Sequence, residues 1–399
     1  MINTTKQILM QMDVKEEARM EIKKPAIAGT LESSDCQVTV EAGEGKVDFS
    51  LESAVINQYG NQIKKVAYET LENLGIDNVK LTIVDKGALD CTIKARSDQI
   101  MNPNKKRLRR TMMFLNAQKP GLIKDPYIYK PDSIMLDLED AVAENQKDAA
   151  RFSLYHALKT INYRGCERVV RINGLDTPYW KEDIRCAVAG GCDAIRIPKT
   201  ESAQDVKVVE AEVVQAEKDF GREEGSVLIM AAIESARGVM RALDICESSE
   251  RLFGIALSGG DYTKDLQTHI TGTGIELMGA RQNMVIAARA AGVQCFDTVY
   301  TDLDDMDGFR QDVENIHLMG FDGKSIINPR QINIVHEIFT PKQKDIIFAE
   351  KVVREIDTKK AQGIGVFTVD GKMIDIAFYD GAKRTIELAK ASGVYKGDL

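Results

Sequence analysis

The chain has 399 residues, 44% hydrophobic and 29% charged, with a formal net charge of −8. That length suits two to three ordinary globular domains, and the acidic balance argues against nucleic acid as a main partner, since phosphate binding needs a basic face. No run of about 18 apolar residues occurs and no apolar signal segment opens the chain, so neither a membrane span nor secretion is expected. Seven cysteines without a CxxC spacing support no zinc site or disulfide framework and fit reduced thiols in the cytoplasm.

Residues 1–19 read as an N-terminal extension with no assignable chemistry. Residues 20–98 read as a small α+β unit of order ββαββ. A first strand is followed by a polar break at Glu32 to Asp35 and a second strand with alternating Cys36, Val38 and Val40. The stretch VINQYGNQIKKVAYETLENLG predicts a helix with Ile56, Tyr59, Ile63, Val66, Ala67 and Leu71 on one face and a glycine stop at Gly75. Two more strands are expected around the turn Asp85-Lys86-Gly87. Residues 99–107, basic and broken by Pro103, read as a linker.

From Thr111 short apolar strands alternate with helix-length segments: TMMFLN, SIMLDLED, RVVRINGL, AIRIPKTE, VLIMAAIES, LFGIALSGGD, FDTVYTD and GKSIINP. Helices are expected between them, for example over Asp205–Phe220 and Leu277–Ala291. Eight such units over 108–335 predict an α/β fold, a TIM (β/α)8 barrel with right-handed crossovers. The rival, a doubly wound open sheet, usually carries a glycine fingerprint after its first strand, and none is present. Residues 336–399 add a helix over 341–360 and a hairpin around Asp370-Gly371, which is either a lid over the barrel or a plain C-terminal cap.

Barrel chemistry sits at the carboxyl ends of the strands, and here those ends carry Glu139, Asp140, Arg171, Lys199, Glu234, Asp261 and Lys324. Glu234 and Asp261 each end a continuous apolar run, as fully buried parallel strands do. Two carboxylates on one rim suit Mg²⁺, which takes one or two and leaves the rest to water and substrate. The other reading is that each acid caps the helix that follows it. Arg171 either holds a substrate carboxylate or enolate through its forked donors or pairs with a neighbouring acid. Two rim carboxylates with Mg²⁺ beside Arg171 favour metal-assisted cleavage or formation of a C–C bond beside a carbonyl, and with no histidine at a predicted strand end the acid and base would be carboxylates, water or substrate groups. Ser33 lies in a polar turn, which makes it either a turn residue or an attachment point for a carrier group.

These stretches also match a known family. Residues 20–98, with AGTLESSD, LENLG and VDKGALDCTIKAR, resemble the acyl carrier (gamma) subunits of citrate lyases. Residues 107–395, with LRRTMMFL, IMLDLEDAV, VVRINGLDTPY, IRIPKTES, MAAIESARGV, GIALSGGDYTKD, GFDGKSIINPRQI and GKMID, resemble their beta subunits, in the malyl-CoA lyase-like branch of the aldolase superfamily. The resemblance implies that Ser33 carries a phosphoribosyl-dephospho-CoA group, with Ser34 where a glycine is usual. It implies Mg²⁺ on Glu234 and Asp261, substrate bound by Arg171 together with Arg110 of the LRR stretch, and Glu139 and Asp140 supporting the metal and its waters. Asp375, in GKMID, falls on a lid aspartate that in relatives reaches a neighbouring subunit's site and takes part in proton transfer. The implied activity is cleavage of a citryl-carrier thioester to acetyl-carrier and oxaloacetate, in a complex with a transferase (alpha) subunit and as a homotrimer or hexamer. Two positions depart from the family: the turn after the first barrel strand reads FLNAQKPG rather than FLPGNNPG, and Gly260 replaces a glutamate. The alternatives are a lyase acting on a free CoA thioester such as malyl-, citramalyl- or citryl-CoA, and a non-catalytic subunit that docks the carrier.

Overall fold

The computed structural model describes residues 26–28, 36–73, 76, 78–87, 107–361, 366–375 and 377–397. Residues 1–19, Ser33, Ser34, Gly75 and the strand expected after Gly87 lie outside the described residues. Contacts within the chain group it into two compact units, Met1–Lys106 and Arg107–Leu399.

The first unit is a four-stranded sheet in the order β1-β2-β4-β3. The strands are β1 (Ala26–Ala28), β2 (Cys36–Ala42), β3 (Val47–Ser53) and β4 (Val79–Asp85), with helix α1 (Ile56–Asn73) between β3 and β4. Strand β2 pairs antiparallel with β4, and β4 pairs parallel with β3, so α1 is a crossover helix. Sequence reading missed β3. Its Asp48, Ser50 and Glu52 alternate with half-buried Val47, Phe49 and Leu51, the weak pattern of an edge strand with one wet face. The core joins Val38, Val40, Leu81 and Ile83 to Ile63, Val66, Ala67 and Leu71 of α1. Ile56 and Tyr59 were expected on that face, but at 46% and 56% exposure they stand outside it: the first turn of α1 extends beyond the sheet it covers.

The second unit is a closed barrel of eight strands. They are β5 (Thr111–Asn116), β6 (Ser133–Asp137), β7 (Glu167–Arg171), β8 (Ala194–Ile197), β9 (Leu228–Ile233), β10 (Leu252–Leu257), β11 (Gln294–Asp297) and β12 (Gly323–Ile326). Every neighbouring pair is parallel, and β12 closes on β5. Met112, Met135, Val169, Ala194, Met230, Ala256 and Phe296 fill the interior as one cluster. Residues of opposite parity, such as Val170, Ile195, Ala231 and Ile255, pack outward against the helices, the alternation a filled barrel requires.

The helices after the strands include α2 (Lys147–Thr160), α3 (Trp180–Gly190), α4 (Ala203–Asp219), α5 (Ala236–Met240), α6 (Ala242–Cys246), α7 (Gly259–Asp265), α8 (Met278–Ala291), α9 (Met306–Met319) and α10 (Ile332–Phe339). Helix α11 (Gln343–Ala361), the hairpin β13 (Val366–Val369) and β14 (Lys372–Asp375), and α12 (Ala377–Ala391) follow. The hairpin turns at Asp370 and Gly371 with φ of 45° and 79°, the positive pair that a two-residue hairpin turn demands. Val352, Ile356, Val369, Ile374 and Ile386 give this segment a core of its own, and Arg384 of α12 donates to Asp322 at 3.0 Å. Among the described residues no helix is long and apolar enough to cross a membrane.

Candidate active site at the carboxyl rim of the barrel

Inward parity places Asp137 and Arg171 above the interior methionines. They are register partners on β6 and β7. Arg171 donates through Nε and Nη2 to the two Asp137 oxygens at 2.8 and 2.7 Å, and its Nη1 lies 2.8 Å from Glu139 Oε2. Such a planar fork on a carboxylate is strong and oriented. Burial opposes the charge on Arg171, but the bonded Asp137 and the nearby Glu139 hold its guanidinium above the usual range. The sequence left Arg171 open between substrate and neighbouring acids; in this structure its three donor positions face acids.

Glu139 follows β6 and is 3% exposed. Its other oxygen lies 2.8 Å from Nζ of Lys199, whereas Asp140, with its side chain 60% exposed, stands 3.8 Å from the same ammonium. Burial pulls the Lys199 ammonium down, but its hydrogen bond to Glu139 more than offsets this and holds it charged. Lys199 has φ of 49°, an uncommon backbone state for a side-chain-bearing residue and one that clusters at functional sites.

Glu234 directly follows β9. Its Oε1 accepts a 3.0 Å hydrogen bond from the Ser258 hydroxyl, and its Oε2 is buried with no donor among the described residues. The helix-cap reading of Glu234 does not hold. Ser235 caps α5, its Oγ accepting from the Gly238 amide at 3.1 Å, and donates to Glu201 at 2.7 Å. Burial, with Glu139 nearby, pushes the Glu234 carboxyl up to about 7, against the pull of Arg196, Arg171 and Ser258. Asp261 stands in the first turn of α7, half-buried. Strands β9 and β10 pair in register through Ile233 and Leu257, so both acids leave neighbouring strands at the same rim.

Sequence reasoning missed Arg196, Ser258 and Phe114. Arg196 is the register partner of Arg171 and is 1% exposed. It donates from Nη2 to Ser258 Oγ at 3.1 Å, and its guanidinium carbon, like that of Arg171, lies 5.1 Å from the centre of the Phe114 ring. Burial, with the like charge of Arg171, pulls its guanidinium down to about 10, which leaves it charged at neutral pH. The available signal was an arginine inside the four-residue apolar strand AIRI.

Two expected residues lie elsewhere. Arg110 precedes β5 and sits at the amino end of the barrel. Its Nε and Nη2 donate to Asp132 at 2.8 Å each, and its Nη1 donates to Thr340 at 2.8 Å. It therefore cannot serve as a substrate-binding arginine at the carboxyl rim. Lys324 faces outward from β12, fully buried, with Nζ 2.6 Å from Asp297 and 2.7 Å from Asp312 of α9. Asp375 ends β14, half-buried and opposite Val366 across the hairpin.

A profile described as HpcH/HpaI aldolase/citrate lyase matches residues 110–329. The chain belongs to this aldolase/citrate lyase family. A second profile, malonate decarboxylase delta subunit, an acyl carrier type, matches residues 23–102. Citrate lyase subunit beta of Leuconostoc mesenteroides subsp. cremoris is 48% identical over 289 residues, covering 72% of this chain and 96% of the relative. The same subunit of Escherichia coli strain K12 is 43% identical over 294 residues, 74% of this chain and 97% of the relative. The (3S)-malyl-CoA thioesterase of Cereibacter sphaeroides strain ATCC 17025 is 32% identical over 286 residues, 72% and 96% of the two chains. Among solved structures, the protein CitE of Mycobacterium tuberculosis, in complex with magnesium, acetoacetate and coenzyme A, superposes with a TM-score of 0.57. It is 25% identical and covers 72% of this chain and 99% of that one.

The residues present fit a divalent cation in this aldolase/citrate lyase barrel. A buried carboxylate oxygen without a donor among the described residues, Glu234 Oε2, is costly unless a cation completes it. Among the described residues no group of three or more His, Cys, Asp or Glu side chains is arranged to hold a metal. Two carboxylates with the remaining positions left to water and substrate is the ligand set of Mg²⁺ rather than of zinc.

Proposed function

We propose that this chain cleaves a citryl-acyl carrier thioester to an acetyl-acyl carrier and oxaloacetate, and that it carries its own acyl carrier segment. One observation carries this reading. A carrier-type match over 23–102 and a lyase-type match over 110–329 lie on one polypeptide, so the substrate arm would be tethered to the barrel at high effective concentration. Ser33 is its attachment point for phosphoribosyl-dephospho-CoA, and a transferase (alpha) subunit loads the citryl group.

Glu234 and Asp261 would hold Mg²⁺, which supplies Lewis-acid polarisation of the hydroxyl and oxo oxygens of the substrate. The chain's own residues do the rest. A base removes the hydroxyl proton of the citryl group. The electron pair left on that oxygen forms the new C=O bond, the C–C bond breaks, and its electrons move to the α-carbon of the acetyl thioester as an enolate. The enolate then takes a proton at carbon. Fixed cations beside the reacting atoms oppose the developing charge without reorganising, and the Arg171 guanidinium, pinned by Asp137, is such a group. Glu139, between Arg171 and Lys199, spaces those two cations. Asp375 is the proposed proton carrier of the hairpin lid.

The test is the intact mass of the protein from cells growing on citrate, paired with an assay of oxaloacetate release. Added mass on Ser33 and release from the carrier-bound thioester support the reading. An unmodified Ser33 together with turnover of free malyl- or citramalyl-CoA would instead favour the CoA-thioester lyase, to which the 32% identity with the malyl-CoA thioesterase also points.

A further inference from the structure

A second arginine lies under the site, and its donors are not used up. Arg171 spends Nε and Nη2 on Asp137 and turns Nη1 to Glu139. Arg196 spends Nη2 on Ser258. Its Nε and Nη1 are buried with no acceptor among the described residues. A guanidinium stays charged and hydrogen-bonds in a planar fork, and a buried charged donor left without an acceptor is unfavourable.

Nothing in the barrel interior supplies the missing acceptor. Met230 is its register partner on one side and Arg171 on the other. Phe114 gives it a ring face at 5.1 Å. Ser258 passes the contact on to Glu234 Oε1 at 3.0 Å, so Arg196 and the carboxylate expected to hold the cation share one hydroxyl. Asp137 and Glu139 are ion-paired with Arg171 and Lys199. We propose that Arg196 is a substrate-contacting arginine whose unfilled Nη1 donates to a carboxylate of the dicarboxylic 2-oxo acid formed in the reaction. This deepens the lyase reading and rests on it. In that reading the fixed charge of Arg171 opposes the developing enolate, and Arg196 distinguishes a substrate with a second carboxylate from one without.

The test is isothermal titration of the full-length protein with Mg²⁺ alone, then with oxaloacetate and with pyruvate at saturating Mg²⁺, in wild type, Arg196→Met and Arg196→Lys. Methionine matches the neighbouring Met230 in character, and removing a buried cation with unfilled donors should leave the fold intact. Both variants are expected to lose about tenfold or more in oxaloacetate affinity, the loss of a charge-assisted hydrogen bond to a carboxylate. Pyruvate and Mg²⁺ affinities should stay within about threefold, because neither ligand offers Arg196 a second carboxylate. Equal losses for both acids, or a matching loss of Mg²⁺, would show that Arg196 acts only through Ser258 and Glu234 and would overturn the proposal. Unchanged oxaloacetate affinity overturns it too, as does failure of both variants to fold. A wild-type protein that binds Mg²⁺ but neither acid strikes the lyase reading itself, a result distinct from all of these.

Discussion

Asp137 grips Arg171 through two parallel hydrogen bonds of 2.8 and 2.7 Å, with the pair 3% and 12% exposed. The grip fixes the plane of a guanidinium whose remaining edge lies 2.8 Å from Glu139. In Asp137→Asn the fork loses one acceptor and its charge, and Glu139 is left as the charged partner of Arg171. Breaking a buried pair from one side costs about 3 kcal/mol, so chemical denaturation should shift by that order. Turnover of the citryl thioester should fall at least about tenfold, the effect of misplacing one preorganised charge. Wild-type kcat in a correctly folded Asp137→Asn protein would show that the orientation of Arg171 does not matter to the chemistry.

Glu234 ties metal binding to pH. Burial and the neighbouring Glu139 raise its carboxyl from 4.5 to about 7. A carboxylate must be deprotonated to bind a cation, so Mg²⁺ affinity should be flat above about pH 7.5 and fall by up to tenfold per pH unit below about 7. The same shift has a stability sign. The folded metal-free protein keeps this proton where the unfolded chain has lost it, so stability drops as pH rises from 4.5 to about 7 and is level above that. The drop is of order 3 kcal/mol. Saturating Mg²⁺ should restore it, and Glu234→Gln should remove both the pH dependence and Mg²⁺ binding. Titrations at pH 6, 7 and 8 with equal affinities would take Glu234 out of the ligand set.

Arg110 gives the opposite expectation. It holds Asp132 at the amino end of the barrel, both side chains 13% exposed, and reaches Thr340. Arg110→Gln should lower stability by about 1–3 kcal/mol through the unpaired Asp132, while KM and kcat per folded molecule stay unchanged. A selective rise in KM would return this residue to substrate binding.

The two ends of the barrel explain what the sequence could and could not disclose. Glu234 and Arg171 close apolar runs, and a strand that is buried on both faces has little other reason to end in a charge. Their place at the carboxyl rim was readable for that reason. Arg110 lay beside a strand too, but before it, and parallel strands send everything at their starts to the opposite face. Arg196 was hidden inside an apolar run, where a charge looks like noise until parity is counted from Ala194, an interior residue. Strand β3 was hidden by its wet face, since Asp48, Ser50 and Glu52 dilute the hydrophobic signal. The second contact of Ser258, from Arg196 to Glu234, joins residues 62 and 24 positions away, a pairing set by barrel closure and not by local pattern.

Gly260 offers a gain-of-function test. It is exposed in the first turn of α7, one residue before Asp261, and a Cβ added there meets nothing within 4 Å. Its φ is not in the left-handed region, so a side chain brings no backbone strain. Gly260→Glu should fold with an unchanged or slightly raised melting temperature, because an acid near a helix start and the loss of glycine's chain entropy both favour it. The added carboxylate stands beside the proposed cation ligand, and partly screened attraction across such a distance should tighten Mg²⁺ binding by about two- to tenfold. The gain should shrink in high salt as surface charges are screened. Titration of Mg²⁺ into wild type and Gly260→Glu at low and high ionic strength reads this directly, and identical affinities in both would mean that the cation does not sit next to Asp261.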